Sequence, residues 1–163
     1  MTPEIVSGWL TRIIGHEGGY TLGEGDPGGE TKFGISRRSY PSLDIKNLTI
    51  EQAADIYIRD YLAPLKADEL PDSVTFQLLD FAINSGVSRA VMCLQQAVGA
   101  VEDGRMGPAT VAAVKRYTEA EVIMRLLAER LEFMTGLSVW PQFGKGWAHR
   151  IARNIKYGVE DLS

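Results

Sequence analysis

Apolar residues recur every three to four positions in several stretches of the chain, a period that predicts amphipathic helices. The first stretch places Ile5, Trp9 and Ile13 about one helical turn apart. Thr2 stands where a helix cap is expected, and Pro3 stands at the first helical position. We therefore expect the chain to begin with a helix that buries one apolar stripe.

Six further helices are predicted by the same period together with helix start and stop signals. Their expected spans run from a capping box of Thr49 and Gln52 to Pro64, from Asp72 to Ser85 before Gly86, from a Ser88 cap to Val98 before Gly99, from Pro108 onward, from a capping box of Thr118 and Glu121 to Gly136, and from Trp147 to Gly158. The 72–85 segment is apolar on nearly all sides, so it is expected to be central.

Between the first two helices the pattern changes, because glycine becomes too frequent for a regular helix. Eight of the 17 glycines fall between Gly15 and Gly34. Any strands are expected between residues 18 and 36, as a tight hairpin. The predicted fold is α+β, mainly α, with one small glycine-rich β-hairpin after the first helix. We place the seam between two lobes, 1–87 and 88–163, near Gly86, and expect both lobes to form one compact domain.

Composition narrows the functional classes. The chain has 163 residues with 17 basic and 21 acidic side chains, a net charge of -4. This is the size of one ordinary domain, and an acidic balance argues against a nucleic-acid partner. No apolar run approaches the ~18 residues that a membrane span requires, so membrane insertion is not expected. A basic run of Lys145, Arg150, Arg153 and Lys156 fits either a solvated helix face or a local contact with an anionic polymer.

Metal and disulfide chemistry have little support in the sequence. The single cysteine, Cys93, cannot form an intrachain disulfide, and the histidines His16 and His149 stand far apart. No cluster has the spacing of metal ligands. We expect no metal and no cofactor, and we interpret Cys93 as a small buried apolar residue.

Glu17 is the leading candidate for a catalytic acid. It continues the stripe of Trp9 and Ile13 at steps of four, so it is expected to face inward from the end of the first helix. Partial burial and the negative end of the helix dipole would both raise the pKa of its carboxyl group. A carboxylic acid that keeps its proton near neutral pH suits general acid catalysis. The alternative is a solvated Glu17 at a frayed helix end.

A second carboxylate, Asp26, follows within the glycine-rich segment. A hairpin folded back over the helix end would let Glu17 and Asp26 face one cleft, and hydrolysis of a glycosidic bond uses such a pair. The alternative is that Asp26 only begins a turn. Thr31 fits either an exposed strand position or a hydroxyl that orients water.

These residues belong to two runs that resemble a known family. Residues 16–20 read HEGGY and residues 26–36 read DPGGETKFGIS. Together they resemble the signature of the glycoside hydrolase family 108 lysozymes, which are N-acetylmuramidases often found as phage endolysins. More distantly, Glu17, Asp26 and Thr31 resemble the Glu, Asp, Thr constellation of phage lysozymes. Here four residues rather than five separate Asp26 from Thr31.

The resemblance extends along nearly the whole chain. It includes YIRDY at 57–61 and DFAINSG at 80–86. In the second lobe, LQQAVG at 94–99, DG at 103–104, GPAT at 107–110 and FGKGW at 143–147 are similar to the peptidoglycan-binding segment that follows the catalytic part in this family. The resemblance thus implies a lysozyme-like fold and a peptidoglycan-binding second lobe.

Gln77, Asp80 and Asn84 form a polar stripe on the otherwise apolar central helix. Either they brace the core through hydrogen bonds, or they line the cleft and bind sugar hydroxyl or N-acetyl groups. Tyr20 fits either stacking on a sugar ring or ordinary packing. Trp140 and Trp147 are expected in the core, where large aromatic side chains are usually found.

The resemblance implies hydrolysis of the β-1,4 bond between N-acetylmuramic acid and N-acetylglucosamine in peptidoglycan. Glu17 would be the general acid, Asp26 the base or electrostatic partner, and Thr31 a residue that positions water. Two alternatives stay open: a lytic transglycosylase, which closes muramic acid on itself, and a non-catalytic module that binds the cell wall.

The start of the sequence lacks the basic and then apolar pattern of a secretory signal. We therefore expect synthesis in the cytoplasm and action on the cell wall after release. Its partners would be peptidoglycan glycan strands, with a holin to open the membrane if the chain is a phage endolysin; a secreted effector fits the same pattern. We expect a monomer.

Overall fold

The structure, a computed structural model, describes residues 2–14 and 30–163. These residues form seven α-helices and one small antiparallel sheet, so the mainly helical α+β prediction is confirmed. The elements are α1 (Pro3–Ile14), β1 (Thr31–Lys32), β2 (Ile35–Ser36), α2 (Ile50–Tyr57), α3 (Asp72–Ser85), α4 (Val87–Val98), α5 (Pro108–Val114), α6 (Glu119–Thr135) and α7 (Trp140–Asp161). None of the described helices is long and apolar enough to cross a membrane.

The chain divides into two compact units, Met1–Asp60 and Tyr61–Ser163. The sequence placed a seam later, near Gly86. The difference arises because α3 packs against α4, α6 and α7, and so belongs with the helices that follow it.

In the first unit, α1 packs against α2. The buried side of α1 is centred on Val6 and Leu10, whereas Ile5, which the sequence placed in the apolar stripe, is 40% exposed. The capping box of Thr49 and Gln52 begins α2 as predicted, because each residue accepts a hydrogen bond from the other's backbone N–H. A π-helical turn, Ile58–Leu62, then extends the helix almost to Pro64.

The two strands fall inside the predicted window and pair in antiparallel register, Thr31 with Ser36 and Lys32 with Ile35. Residues 15–29 of the glycine-rich segment lie outside the described part of the chain. The hairpin is therefore confirmed for its last six residues, 31–36.

In the second unit, α3 is the central helix, and both of its ends agree with the prediction. Ten of its 14 residues are buried, as its all-round apolar pattern predicts. Gly86 ends it with a φ of 85°, which an L side chain rarely adopts. The capping box of Thr118 and Glu121 at the start of α6 is also confirmed.

Two helix boundaries differ from the prediction. Helix α4 begins at Val87 with Gly86 as its N-cap residue, so Ser88 is not the cap. Helix α7 runs from Trp140 to Asp161, beyond the predicted 147–158 at both ends. Gly158 was predicted to end this helix, but a Cβ atom at this position would lie 3.2 Å from Ile123 Cγ2, so the glycine permits close helix packing instead.

Two glycines of α7 predict opposite effects of the same substitution. A Cβ atom on Gly144 would lie 2.6 Å from the Trp140 ring, whereas one on Gly146 would meet nothing within 4 Å. We expect Gly144→Ala to lower the free energy of unfolding by about 1–2 kcal/mol through overpacking. Gly146→Ala should raise it by about 0.5–1 kcal/mol, since glycine weakens helices. Urea unfolding measures both, and equal effects would contradict the overpacking.

Candidate functional site

Of the three predicted catalytic residues, the structure describes Thr31, whereas Glu17 and Asp26 lie outside the described residues. Tyr20, a predicted sugar-binding residue, also lies outside them. Thr31 is the first residue of β1 and is half-buried. For this part of the site, the structure therefore gives the geometry of the hairpin that carries Thr31.

The hairpin turn consists of Phe33 and Gly34, with φ angles of 51° and 78°. Positive φ at both central residues is the mark of a type I′ turn, whose twist matches that of the strands. The buried Tyr57 of α2 donates its hydroxyl hydrogen to the Phe33 carbonyl oxygen at 3.0 Å. A Cβ atom at position 34 would lie 2.5 Å from that hydroxyl oxygen. Glycine is therefore required at position 34 by both conformation and space.

Further contacts hold the hairpin at its sides. Lys32 Nζ donates to the Lys46 carbonyl oxygen at 3.0 Å. Beyond the strands, Arg37 N donates to the Glu30 carbonyl oxygen at 2.8 Å, and the two side chains form an ion pair at 2.6 Å. Thr31 is thus held in a short hairpin that is fixed at its turn, its flank and its open end.

Another carboxylate of the first unit, Asp60, lies in the π-helical turn Ile58–Leu62. Hydrogen bonds from Arg59 and Tyr40, with the Arg59 charge, lower the pKa of Asp60 to about 2. A carboxyl group with this pKa is ionised near neutral pH and cannot serve as a general acid there. Asp60 is therefore not a competitor for the role predicted for Glu17.

The second unit contains a buried charge cluster around Asp80, which is 1% exposed. The Asp80 carboxylate accepts hydrogen bonds from Arg130 at 2.6 Å, Arg150 at 2.7 Å and Asn154 at 2.7 Å. Burial alone would raise the pKa of Asp80, but the two guanidinium groups outweigh it and hold the pKa below its usual value. The cluster joins α3, α6 and α7 through one carboxylate.

The polar stripe of α3 is divided between two environments. Gln77 is fully buried and donates to the Asn154 carbonyl oxygen at 2.9 Å. Gln77 and Asp80 therefore have the contacts of the bracing alternative. Asn84 is exposed, and its side-chain amide donates to the Asp80 carbonyl oxygen at 2.6 Å. Sugar binding by the three residues stays a prediction.

A pocket of about 240 Å³ with both polar and apolar lining opens beside Asn84. It is lined by Asn84, Ser85, Arg130, Phe133, Met134, Leu137, Trp147 and Arg150. Trp147 packs in part against the core, as predicted, and its other side stacks against the exposed Phe143 with ring centroids 5.9 Å apart. Amide, hydroxyl and aromatic groups around a space of this size suit a single sugar ring.

A larger groove of about 510 Å³ lies between α6 and α7. Its lining includes Ile123, Met124, Leu127, Ile155 and Val159, and all the residues around it are apolar or glycine. A sugar needs polar groups that fix its hydroxyl groups, so this groove is not the candidate saccharide site.

The predicted basic run does not act as one surface. Arg150 is engaged with the buried Asp80, whereas Lys145, Arg153 and Lys156 are exposed on α7. The sequence could not show this division, since the partner of Arg150 is 70 positions away.

In the described part of the chain, no group of three or more His, Cys, Asp or Glu side chains could hold a metal ion. Cys93 is 4% exposed, and burial raises the pKa of its thiol. A buried thiol that keeps its proton is a poor nucleophile, in agreement with the interpretation of Cys93 as a packing residue.

Comparison with known proteins decides the family. The family model for glycosyl hydrolase 108 matches residues 10–86. The solved structure of SagA from Brucella abortus is 34% identical in sequence, with a TM-score of 0.82 over 96% of this chain and 95% of that chain. No curated protein matches the chain significantly. The chain belongs to glycosyl hydrolase family 108.

Membership of family 108 makes the chain a glycoside hydrolase and supports a role in peptidoglycan hydrolysis. The matched segment includes Glu17, Asp26 and Thr31 as well as the polar stripe of α3. It ends at Gly86, so a peptidoglycan-binding role for the later helices stays a prediction.

Sequence reasoning missed two residues of this family 108 chain that the geometry brings forward. Tyr57 fixes the hairpin turn, and Arg130 pairs with Asp80. Arg130 did carry a signal, because it is a charged residue on the apolar stripe of α6, and buried charges require a partner.

Asp80 gives a test of the buried cluster. Asp80→Asn leaves the buried Arg130 without its carboxylate, so we expect the free energy of unfolding at pH 7 to fall by ~3–5 kcal/mol. Because the pKa of Asp80 is lowered in the folded protein, its contribution to the free energy of unfolding is complete above about pH 4, the range of an unfolded carboxyl group. This contribution is lost as the pH falls through the folded pKa. In urea unfolding, the gap between variant and wild type should therefore narrow below about pH 4.

The matched control is Asp55→Asn, because Asp55 is exposed on α2. It should change the free energy of unfolding by less than ~0.5 kcal/mol. A gap for Asp80→Asn that is small at pH 7, or constant down to pH 2, would contradict the role of the cluster.

Proposed function

We propose that this family 108 glycoside hydrolase is an N-acetylmuramidase. It hydrolyses the β-1,4 bond between N-acetylmuramic acid and N-acetylglucosamine in peptidoglycan. The observation that supports this most directly is the family match over residues 10–86, because this segment contains both proposed catalytic carboxyl groups.

In the proposed reaction, Glu17 gives its proton to the glycosidic oxygen as the bond from that oxygen to the anomeric carbon breaks. A water molecule forms the new bond to the anomeric carbon, and Asp26 accepts the proton that the water loses or stabilises the oxocarbenium-like transition state. Thr31 positions the water. No cofactor takes part in these steps.

The described surroundings of Thr31 are consistent with a positioning role. Its strand is two residues long, and a strand this short has few ladder hydrogen bonds of its own. The turn contact from Tyr57 and the flank contact from Lys32 supply the rigidity that the ladder lacks. A rigid support matters because a small misplacement of a reacting group reduces the rate strongly.

For substrate binding, the predicted residues fall into distinct roles. Asn84 lines the pocket of about 240 Å³ and is the strongest of the described candidates for a sugar contact. Asp80 binds Arg130 and Arg150, which line the pocket, and Gln77 joins α3 to α7 through the Asn154 carbonyl oxygen. Tyr20 is proposed to stack on a sugar ring.

The proposed biological role is that of a phage endolysin. The chain would be made in the cytoplasm, reach the wall through a membrane opened by a holin, and act as a monomer on glycan strands. Lysis of the host would follow when enough glycosidic bonds have been cut.

Glu17→Gln tests the catalytic acid. We expect it to lower the rate of lysis by ~10²-fold or more, since the amide has no proton to give to the leaving oxygen. The measurement is the loss of turbidity of cells with a permeabilised outer membrane. The control is Glu102→Gln, because Glu102 is exposed on the other unit and should leave lysis unchanged.

Equal lysis by Glu17→Gln and wild type would overturn the role of Glu17. A wild-type protein that binds purified peptidoglycan but never cleaves it would instead support the non-catalytic wall-binding alternative.

The reaction products test the chemistry. Hydrolysis leaves a muramic acid with a free reducing end, whereas a lytic transglycosylase gives an anhydro product that is lighter by one water. We expect mass spectrometry to show the hydrolytic product. Anhydro products would replace the proposed activity by the transglycosylase alternative.

By analogy with phage lysozymes, we further propose inversion at the anomeric carbon. Inversion requires ~6.5–9.5 Å between the two carboxyl groups, and retention only ~5–5.5 Å. Proton NMR during the first turnovers should show the α-anomer, and the β-anomer as first product would contradict inversion.

A further inference from the structure

The hairpin brings a second hydroxyl group beside Thr31. A two-residue turn of Phe33 and Gly34 sets the register, and this register places Ser36 directly opposite Thr31. Residues directly opposite each other in an antiparallel pair project from the same face of the sheet. The Thr31 and Ser36 side chains therefore share one face, and Lys32 and the buried Ile35 share the other.

The type of pair brings these two side chains close together. Antiparallel pairs alternate between hydrogen-bonded and non-hydrogen-bonded positions. The next pair outward, Glu30 with Arg37, is hydrogen-bonded, because Arg37 N donates to the Glu30 carbonyl oxygen at 2.8 Å. Thr31 and Ser36 are therefore a non-hydrogen-bonded pair, in which the Cα atoms are only about 4.5 Å apart. One water molecule can bridge two hydroxyl groups at such a separation.

The Ser36 hydroxyl is held in place. Its oxygen accepts a hydrogen bond from Ser39 N at 3.2 Å, and it donates to Ser39 Oγ at 3.1 Å. A serine hydroxyl has one donor and two acceptor positions. Over the described residues, these contacts use the donor and one acceptor, which leaves an acceptor for a water hydrogen.

We propose that Ser36 is a positioning residue that acts together with Thr31: the two hydroxyl groups hold the water molecule that attacks the anomeric carbon. This inference rests on the proposed function. In the reaction, the water oxygen bonds to the anomeric carbon while one water proton passes to the catalytic base of the proposed function. The Ser36 oxygen accepts a hydrogen bond from the other water hydrogen, so Ser36 orients the water and takes no part in bond making.

The test compares Ser36→Ala, Thr31→Val and the double variant on a soluble glycan fragment. We expect Ser36→Ala to lower kcat by about 5–10-fold, the effect of one lost hydrogen bond. KM should stay within about 2-fold, because the water is not part of the glycan. The double variant should be no more than about 2-fold slower than the slower single variant, since both hydroxyl groups hold one water. Ser36→Thr, which keeps the hydroxyl, should restore most of the rate.

A second readout separates water positioning from simple support of the hairpin. With methanol added to the assay, the fraction of methyl glycoside among the products should rise several-fold in Ser36→Ala, because the missing hydroxyl makes room for the methyl group. Ser42→Ala is the matched control, since Ser42 is exposed on the same unit. It should change neither kcat nor the methyl glycoside fraction.

Three outcomes would overturn the proposal: an unchanged kcat in Ser36→Ala, a rise in KM alone, or effects of Ser36→Ala and Thr31→Val that multiply. Failure of the proposed function looks different, because an active Glu17→Gln variant or anhydro products would show it. Thermal unfolding of each variant checks that the fold is intact.

Discussion

The helical unit depends on the pairing of one buried carboxylate with two guanidinium groups. Asp80 accepts from Arg130 on α6 and from Arg150 and Asn154 on α7, so three helices meet at a single side chain. Such a cluster is held by directional contacts and not by apolar area alone, and an unpaired member would be strongly destabilising. The family match ends at Gly86, but both arginines come later in the chain. The matched segment therefore relies on the following helices to neutralise its own central charge.

The fold was largely predictable where its signals are local. Both limits of α3 and the capping boxes of α2 and α6 follow from a few adjacent residues, and the structure confirms them. The wrong boundaries involve glycine, because the sequence does not distinguish a glycine that stops a helix from one that permits close packing. Gly158 is of the second kind, and α7 continues past it.

The site was predictable in part for a similar reason. The pattern of α3 identified Asp80 as a polar residue in an apolar surrounding, but its partner Arg130 is 50 positions away, and no local pattern joins them. Two interpretations of the stripe therefore stayed open until the contacts were visible. For the hairpin, the sequence singled out Thr31. The role of Tyr57 follows from a hydrogen bond between α2 and the turn, and the role proposed for Ser36 follows from the pairing register of the strands.

The missing side chain of Gly158 affects how helix α7 packs against its neighbours. A side chain at this position would meet Ile123 of α6, and Gln77 of α3 lies only slightly farther away. Asn154 stands one turn earlier and Arg150 two turns earlier on the same side of the helix. The absence of a side chain thus sets the depth and the rotational setting of α7. The hydrogen bonds from Arg150 and Asn154 to Asp80, each 2.7 Å long, therefore depend on the close packing that this glycine permits.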